Sequence, residues 1–302
     1  MSQGTIHDLG YKRYAGTRLS TGTRWRVVMR QQIASAWKTW FRYKAWVGFA
    51  VVTTCVAGML MYLATYVPNL NMLNHMLVGG NGKNIELADI PLPTAIAWYC
   101  RGAFLCTLTL SIGVIANDVR SGAFTFYFSR SLRPADYVFG KLAGLGFVMA
   151  TITMAGPVLL AIMRLTLATS TDELWHLLPV IPKALAIGAL TTLTYAAVPL
   201  AFSALLSQRG YALAAWAAYY VIAGEIAADG FSSTPAISAF DLPTAITGVA
   251  FWLFDVQPIR GSAELAPIGA CAISLTIQIS AALALAYFMV RRASDSGVGG
   301  AT

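Results

Sequence analysis

The charged and aromatic side chains of this chain that could do chemistry together crowd into one polar stretch, residues 117–141, reading NDVRSGAFTFYFSRSLRPADYVFGK. Asp118, Arg120, Arg130 and Arg133 can form ion pairs and charge-assisted hydrogen bonds. Phe124, Phe126, Tyr127, Phe128 and Leu132 place apolar surface among them. Aromatic anchors with charges around them suit docking onto another surface rather than the making or breaking of bonds. The pattern predicts a short amphipathic helix that Arg133 and Pro134 end, because proline lacks an N–H and disfavours helix at the residue before it.

Catalytic alternatives find little support. The run GGNGKN at residues 79–84 is a turn rather than a phosphate loop, since Leu77 stands where the first glycine should be and no Ser or Thr follows Lys83. His7, His75 and His176 are far apart, and neither H-E-x-x-H nor G-x-S-x-G occurs. Cys55, Cys100, Cys106 and Cys271 lie in or beside apolar runs with no C-x-x-C pair, so they read as small core hydrophobes. The expectation is no catalytic residue, no metal site, no cofactor bound by this chain, and no enzymatic activity of its own.

The elements that must position residues 117–141 are apolar. With 57% hydrophobic and 11% charged residues in 302, the chain is neither an ordinary soluble globule nor a disordered one. Residues 45–67 run for 23 residues without a charge, enough to cross a ~30 Å hydrocarbon core at about 1.5 Å per residue. Further spans are expected at 94–116, 142–163, 184–206, 210–228 and 267–290, with Pro157 and Pro199 kinking two of them. The predicted fold is an all-α integral membrane protein with a six-span domain over residues 45–292.

Residues 1–24 form a polar, basic tail without a signal-peptide h-region, and 293–302 a second tail. Between the first tail and the first span, residues 25–44 are amphipathic. Met29, Ile33, Ala36, Trp37, Trp40 and Phe41 recur at helical spacing, while Arg26, Arg30, Ser35, Lys38 and Arg42 take the other face. This predicts an interfacial helix, with Trp25, Trp37 and Trp40 at headgroup depth and Arg30 and Lys38 on lipid phosphates. A partner-binding soluble helix is the alternative. The 36-residue connection 229–264 holds a ten-residue apolar run, 245–254, too short to span. It suits a re-entrant or interfacial helix, or else an apolar patch under a loop.

The order of elements in 117–141 resembles the membrane-spanning permease subunits of ABC exporters, type-2 class. The matching residues are Asp118, the small pair Ser121 and Gly122, Ser129 and Arg130, Arg133 and Pro134, and Tyr137 with Gly140 and Lys141. The commoner family order is Arg-Pro-Val-Ser-Arg, where this chain reads Ser-Arg-Ser-Leu-Arg-Pro. The resemblance implies that residues 122–133 are a coupling helix docking into a separate ATPase subunit. Its contact residues would be Asp118, Arg120, Gly122, Phe124, Phe126, Phe128, Arg130, Arg133 and Pro134. It further implies an elbow helix before the first span and re-entrant helices between spans five and six. The implied partners are two ABC ATPase subunits holding ATP and Mg²⁺, a second permease subunit and the bilayer of the inner (cytoplasmic) membrane. A basic surface loop, a secondary transporter and a non-transporting membrane scaffold are the competing readings. The last two lack, respectively, the expected midplane carboxylates and any need for the Arg-Pro element.

Ionisable residues inside apolar runs are costly. Arg101, Arg164, Lys183 and Glu225 are expected near span ends, either snorkelling to headgroups or, for Arg101 and Glu225, lining an external gate. The formal charge of +8 follows membrane sidedness rather than nucleic acid, because 16 of the 21 Lys and Arg fall on one side of this layout. That side carries both termini and is therefore expected to be the cytoplasm. Labels at residues 81, 172 and 235 should accordingly react from outside sealed cells, and labels at 12, 130 and 296 should not. External labelling at 130 would remove the docking reading of its stretch.

Overall fold

The computed structural model describes residues 21–38, 43–66, 87–128, 132–229, 235–256 and 266–299. Trp40, Arg130, most of the amino-terminal tail and the centres of the loops before α3 and α14 lie outside the described residues, as does the side chain of Glu225. Among the described residues there is no β-strand. Helices satisfy their own backbone polar groups, the requirement that an apolar environment imposes.

The helices are α1 (Arg24–Trp37), α2 (Ala45–Tyr66), α3 (Pro91–Leu110), α4 (Ala116–Arg120), α5 (Ala123–Phe128), α6 (Pro134–Thr153) and α7 (Ala155–Thr166). They continue with α8 (Thr171–Leu177), α9 (Val180–Leu205), α10 (Arg209–Ala217), α11 (Gly224–Asp229), α12 (Pro235–Ser238), α13 (Leu242–Phe254) and α14 (Ile268–Gly299). Four stretches are long and apolar enough to cross a membrane: Ala45–Tyr66, Pro134–Thr166, Thr171–Leu205 and Ile268–Asp295. The chain is an all-α, membrane-embedded protein.

The stretches expected as spans two and five have a different character. Arg101 lowers the hydropathy of α3, and the chain leaves the helix over residues 111–115, with Ser111 Oγ buried there and without a hydrogen-bond partner among the described residues. Between α10 and α11 the π-helical turn Ala218–Ala223 interrupts the α-ladder. Phe104 of α3 stacks on Tyr220 of that turn with centroids 3.8 Å apart, and Tyr219 donates to Gln278 Oε1 of α14.

α9 is the central helix, packing on α3, α6, α7, α13 and α14. Pro157 leaves the carbonyl of Thr153 without its helical donor, and the Pro134–Thr166 helix breaks there, at Met154. α9 lies tightly over this break, since a Cβ at Gly188 would stand 2.8 Å from Met154 Cα. Pro199 sits inside α9 without ending it. The apolar run expected at 245–254 is α13, capped by Asp241, whose carboxylate accepts from Thr244 N at 3.0 Å. α13 packs on α3, α9 and α14 and is too short to span. α14 runs through most of the expected carboxy-terminal tail, to Gly299.

α1 packs along α6. The seam follows the apolar face of the sequence pattern only in part, with Ile33 and Ala36 packed inward. Val28, Gln32 and Ala36 turn inward, whereas Trp37 is 59% exposed, with Lys44 over its ring. Arg30 and Lys38 are exposed, and Trp25 meets Phe139 edge-on at 5.0 Å. Gly140 and Gly144 make this approach possible. A Cβ at Gly140 would lie 2.7 Å from Trp25 O, and one at Gly144 would lie 2.7 Å from Gln32 Cβ. Gly140→Val should therefore push α1 away and lower stability by about 1–3 kcal/mol. Gly146→Ala, whose nearest neighbour is 3.9 Å away, should be silent in the same detergent-melting assay. Equal melting of the two variants would contradict the seam.

Candidate functional site

The polar stretch folds as a helical hairpin at one end of the bundle. It begins where α3 stops. Ser203 of α9 accepts from the amides of Ile115 at 3.0 Å and Ala116 at 3.2 Å, satisfying donors that the break leaves at the start of α4. Ser121 and Gly122 then turn the chain. Gly122 has φ +68, a left-handed conformation that a side chain would strain. Ser121 N donates to Asn117 O at 2.9 Å, Gly122 N to Val119 O at 3.1 Å, and α5 follows.

One carboxylate holds the hairpin to the bundle. Asp118 Oδ2 accepts from Tyr137 Oη at 2.6 Å and pairs with Lys141 Nζ at 2.9 Å. Tyr137 and Lys141, one turn apart on α6, are both buried, and the Lys141 ammonium lies 5.4 Å from the centre of the Tyr137 ring. Tyr137 is also the hub for the aromatics of α5. Its ring centroid is 5.3 Å from Phe124, 5.8 Å from Tyr127 and 6.0 Å from Phe128. Burial raises the Tyr127 phenol above its ordinary value, with the Asp118 charge adding to it.

This arrangement corrects the expected division of labour among the aromatics. Phe124 is buried against Tyr137 and so holds the hairpin in place rather than facing a partner, whereas Phe128 is half-buried, packed on Tyr137 with part of its ring still open. Phe126 is 75% exposed. With Arg120, Ser121, Gly122 and Thr125 it forms the outward surface. Asp118 also faces inward. α5 ends at Phe128 among the described residues, and Arg133 with Pro134 starts α6 rather than ending a helix. Proline at the first helical position loses no hydrogen bond and has its φ already set. Arg133 itself is exposed.

Ionisable residues elsewhere divide in two. Arg101 is exposed and lies 4.7 Å from the centroid of Trp98, while the side chain of Glu225 is outside the described residues. Arg164 does not snorkel: it is 3% exposed and reaches Asp89 Oδ1 at 2.7 Å and Glu173 Oε1 at 3.3 Å. Glu173 also accepts from Thr169 N at 2.8 Å, so one ion cluster ties α7 to the start of α8 and to the turn before α3. Tyr137 and Lys141 entered the sequence reading only through the family resemblance, and nothing there joined them to Asp118. Nothing in the sequence marks Ser203. No group of three potential metal ligands occurs among the described residues.

No family model and no curated protein matches the chain.

The Asp118–Lys141 pair is inside enough for its loss to register. Lys141→Met would leave a half-buried carboxylate without its cation and should cost about 2–4 kcal/mol in denaturant unfolding. Asp118→Asn/Lys141→Met should cost less than the sum of the single changes, because each removes the same interaction. Strict additivity would show that the pair is not coupled.

Proposed function

We propose that this chain is the membrane-spanning subunit of an ATP-driven exporter of the type-2 ABC class, and that α4–α5 is its coupling element. The observation that carries this reading is the convergence of the motif residues. Asp118, Tyr137 and Lys141 meet where the hairpin joins α6, Gly140 admits α1 against the same helix, and Gly122 makes the reversal that presents Arg120, Thr125 and Phe126 outward. A loop that only obeyed charge sidedness would have no need of a buried ion pair beneath it.

On this reading the spans are α2, α3, α6–α7, α9, α10–α11 and α14, with α12–α13 as the re-entrant element and α1 as the elbow helix. Both termini lie in the cytoplasm. Two partner ATPases hold ATP and Mg²⁺, and a second permease subunit completes the pathway. Closure of the ATPases pushes on the exposed face of α5. The Asp118 knot passes the push to α6, and the Phe124 cluster passes it to α9 and α14, whose residues Leu200, Ala286 and Val290 belong to the same core. The discontinuity at residues 111–115 lets α4 move without dragging all of α3.

The test separates surface from support. Phe126→Ala should leave folding intact while releasing the ATPase, or uncoupling its hydrolysis, by roughly tenfold or more, as expected of an interface anchor. Phe124→Ala should instead destabilise the permease by about 3 kcal/mol. If Phe126→Ala and Phe126→Glu both keep a copurifying ATPase and full transport, α5 is not the coupling element.

A further inference from the structure

Beside the hairpin a groove of about 620 Å³ opens between the start of α6 and the last turns of α14. Arg133, just before α6, and Arg291 of α14 line it, with Asp295 as the one carboxylate among the described lining residues and Phe128, Leu132 and Tyr287 as its apolar walls. Both arginines are exposed, and neither has an ion-pair partner among the described residues. Residues 268–290 of α14 contain no charge, and Arg291 is the first charged residue after them. The groove therefore stands at the polar end of a membrane-length helix, the level at which headgroups lie. From there Leu285 and Phe288, both exposed, continue along α14 into its apolar part.

We propose that this groove binds the headgroup of an anionic phospholipid. The phosphodiester sits between the Arg133 and Arg291 guanidiniums, the glycerol backbone rests against Tyr287, and an acyl chain follows Leu285 and Phe288. Arginine suits this contact because its planar, weakly hydrated fork matches phosphate oxygens. The first turn of α6 carries no side-chain cap, so its positive end adds to the attraction. A soluble phosphate would satisfy the arginines but leave the apolar walls uncovered. The bound lipid links the start of α6 to the end of α14 next to the Asp118 knot. Membrane composition thereby sets how firmly the hairpin is held. This assignment does not depend on the transport reading.

The experiment uses the full chain in detergent, offered equal amounts of phosphatidylglycerol and phosphatidylcholine and read by native mass spectrometry. Two arginines partly offset by one carboxylate should retain phosphatidylglycerol over phosphatidylcholine by roughly tenfold. Arg133→Gln/Arg291→Gln should abolish that preference. Arg292→Gln, an exposed neighbour that does not line the groove, should keep it, and Asp295→Asn should increase it. All of these positions are exposed, and monodisperse elution of each variant checks folding. An undiminished preference in the double variant would overturn the proposal, as would an equal loss in Arg292→Gln, which would indicate a diffuse positive field. Displacement of the lipid by millimolar glycerol phosphate would overturn it in favour of a soluble phosphorylated ligand.

Discussion

Asp118 is the constraint from which the architecture at this end of the molecule follows. A carboxylate whose side chain is only 19% exposed is tolerable when its charge is matched and its oxygens accept hydrogen bonds, and Lys141 and Tyr137 meet both needs with one oxygen. Because both donors sit on one face of α6, the carboxylate fixes α4 against that helix. The reversal at Gly122 then sends α5 back over Tyr137. From this follows which aromatics pack inward and which one faces out. The exposed face of α5 is a consequence of a buried charge rather than of the hydrophobicity of the stretch itself.

A second constraint is the cost of unpaired backbone groups away from water. Among the described residues the chain departs from regular α-helix in three places within its apolar body; at the first a side chain takes up backbone amides, and at the other two close packing covers the irregular turn. Ser203 takes two amides after residues 111–115, α9 closes over the break at Met154, and the π-helical turn Ala218–Ala223 is gripped by Phe104, Trp216 and Gln278. At the end of the bundle away from the hairpin, Arg164 obeys the same electrostatic rule as Asp118. Buried among α7, α8 and the turn before α3, it is paired with two carboxylates. Two ion clusters, one at each end, thus join elements that apolar packing alone would leave free to slide.

Much of the helix layout was legible from composition. Uncharged runs marked α2, α6–α7, α9 and α14, Pro157 marked the break near Met154, and ten apolar residues marked α13 as too short to cross, whereas Pro134, expected to end a helix, begins α6. The candidate site was legible only as a stretch. Its residue types announced charge and aromatic surface, but Phe124, Phe126 and Phe128 are alike in composition and differ only in what lies opposite them. The amphipathic pattern of α1 suggested the face containing Trp37. The structure keeps Ile33 and Ala36 of that face inward but turns in Gln32 rather than Trp37, because close approach to Gly140 and Gly144 depends on shape complementarity as well as hydropathy.

Sequence by itself determined the all-α class, the membrane-length helices and the position of the polar stretch among them. Each of these depends on the transfer energies of residues summed along a local window. Tertiary structure decided that Asp118 meets Tyr137 and Lys141, that Ser203 caps a helix 87 residues earlier, that Arg164 is buried and paired, and that Phe126 alone of its three neighbouring phenylalanines faces out. These are contacts between distant segments. Their energies depend on which groups meet across the fold, and a local window of sequence does not contain both partners.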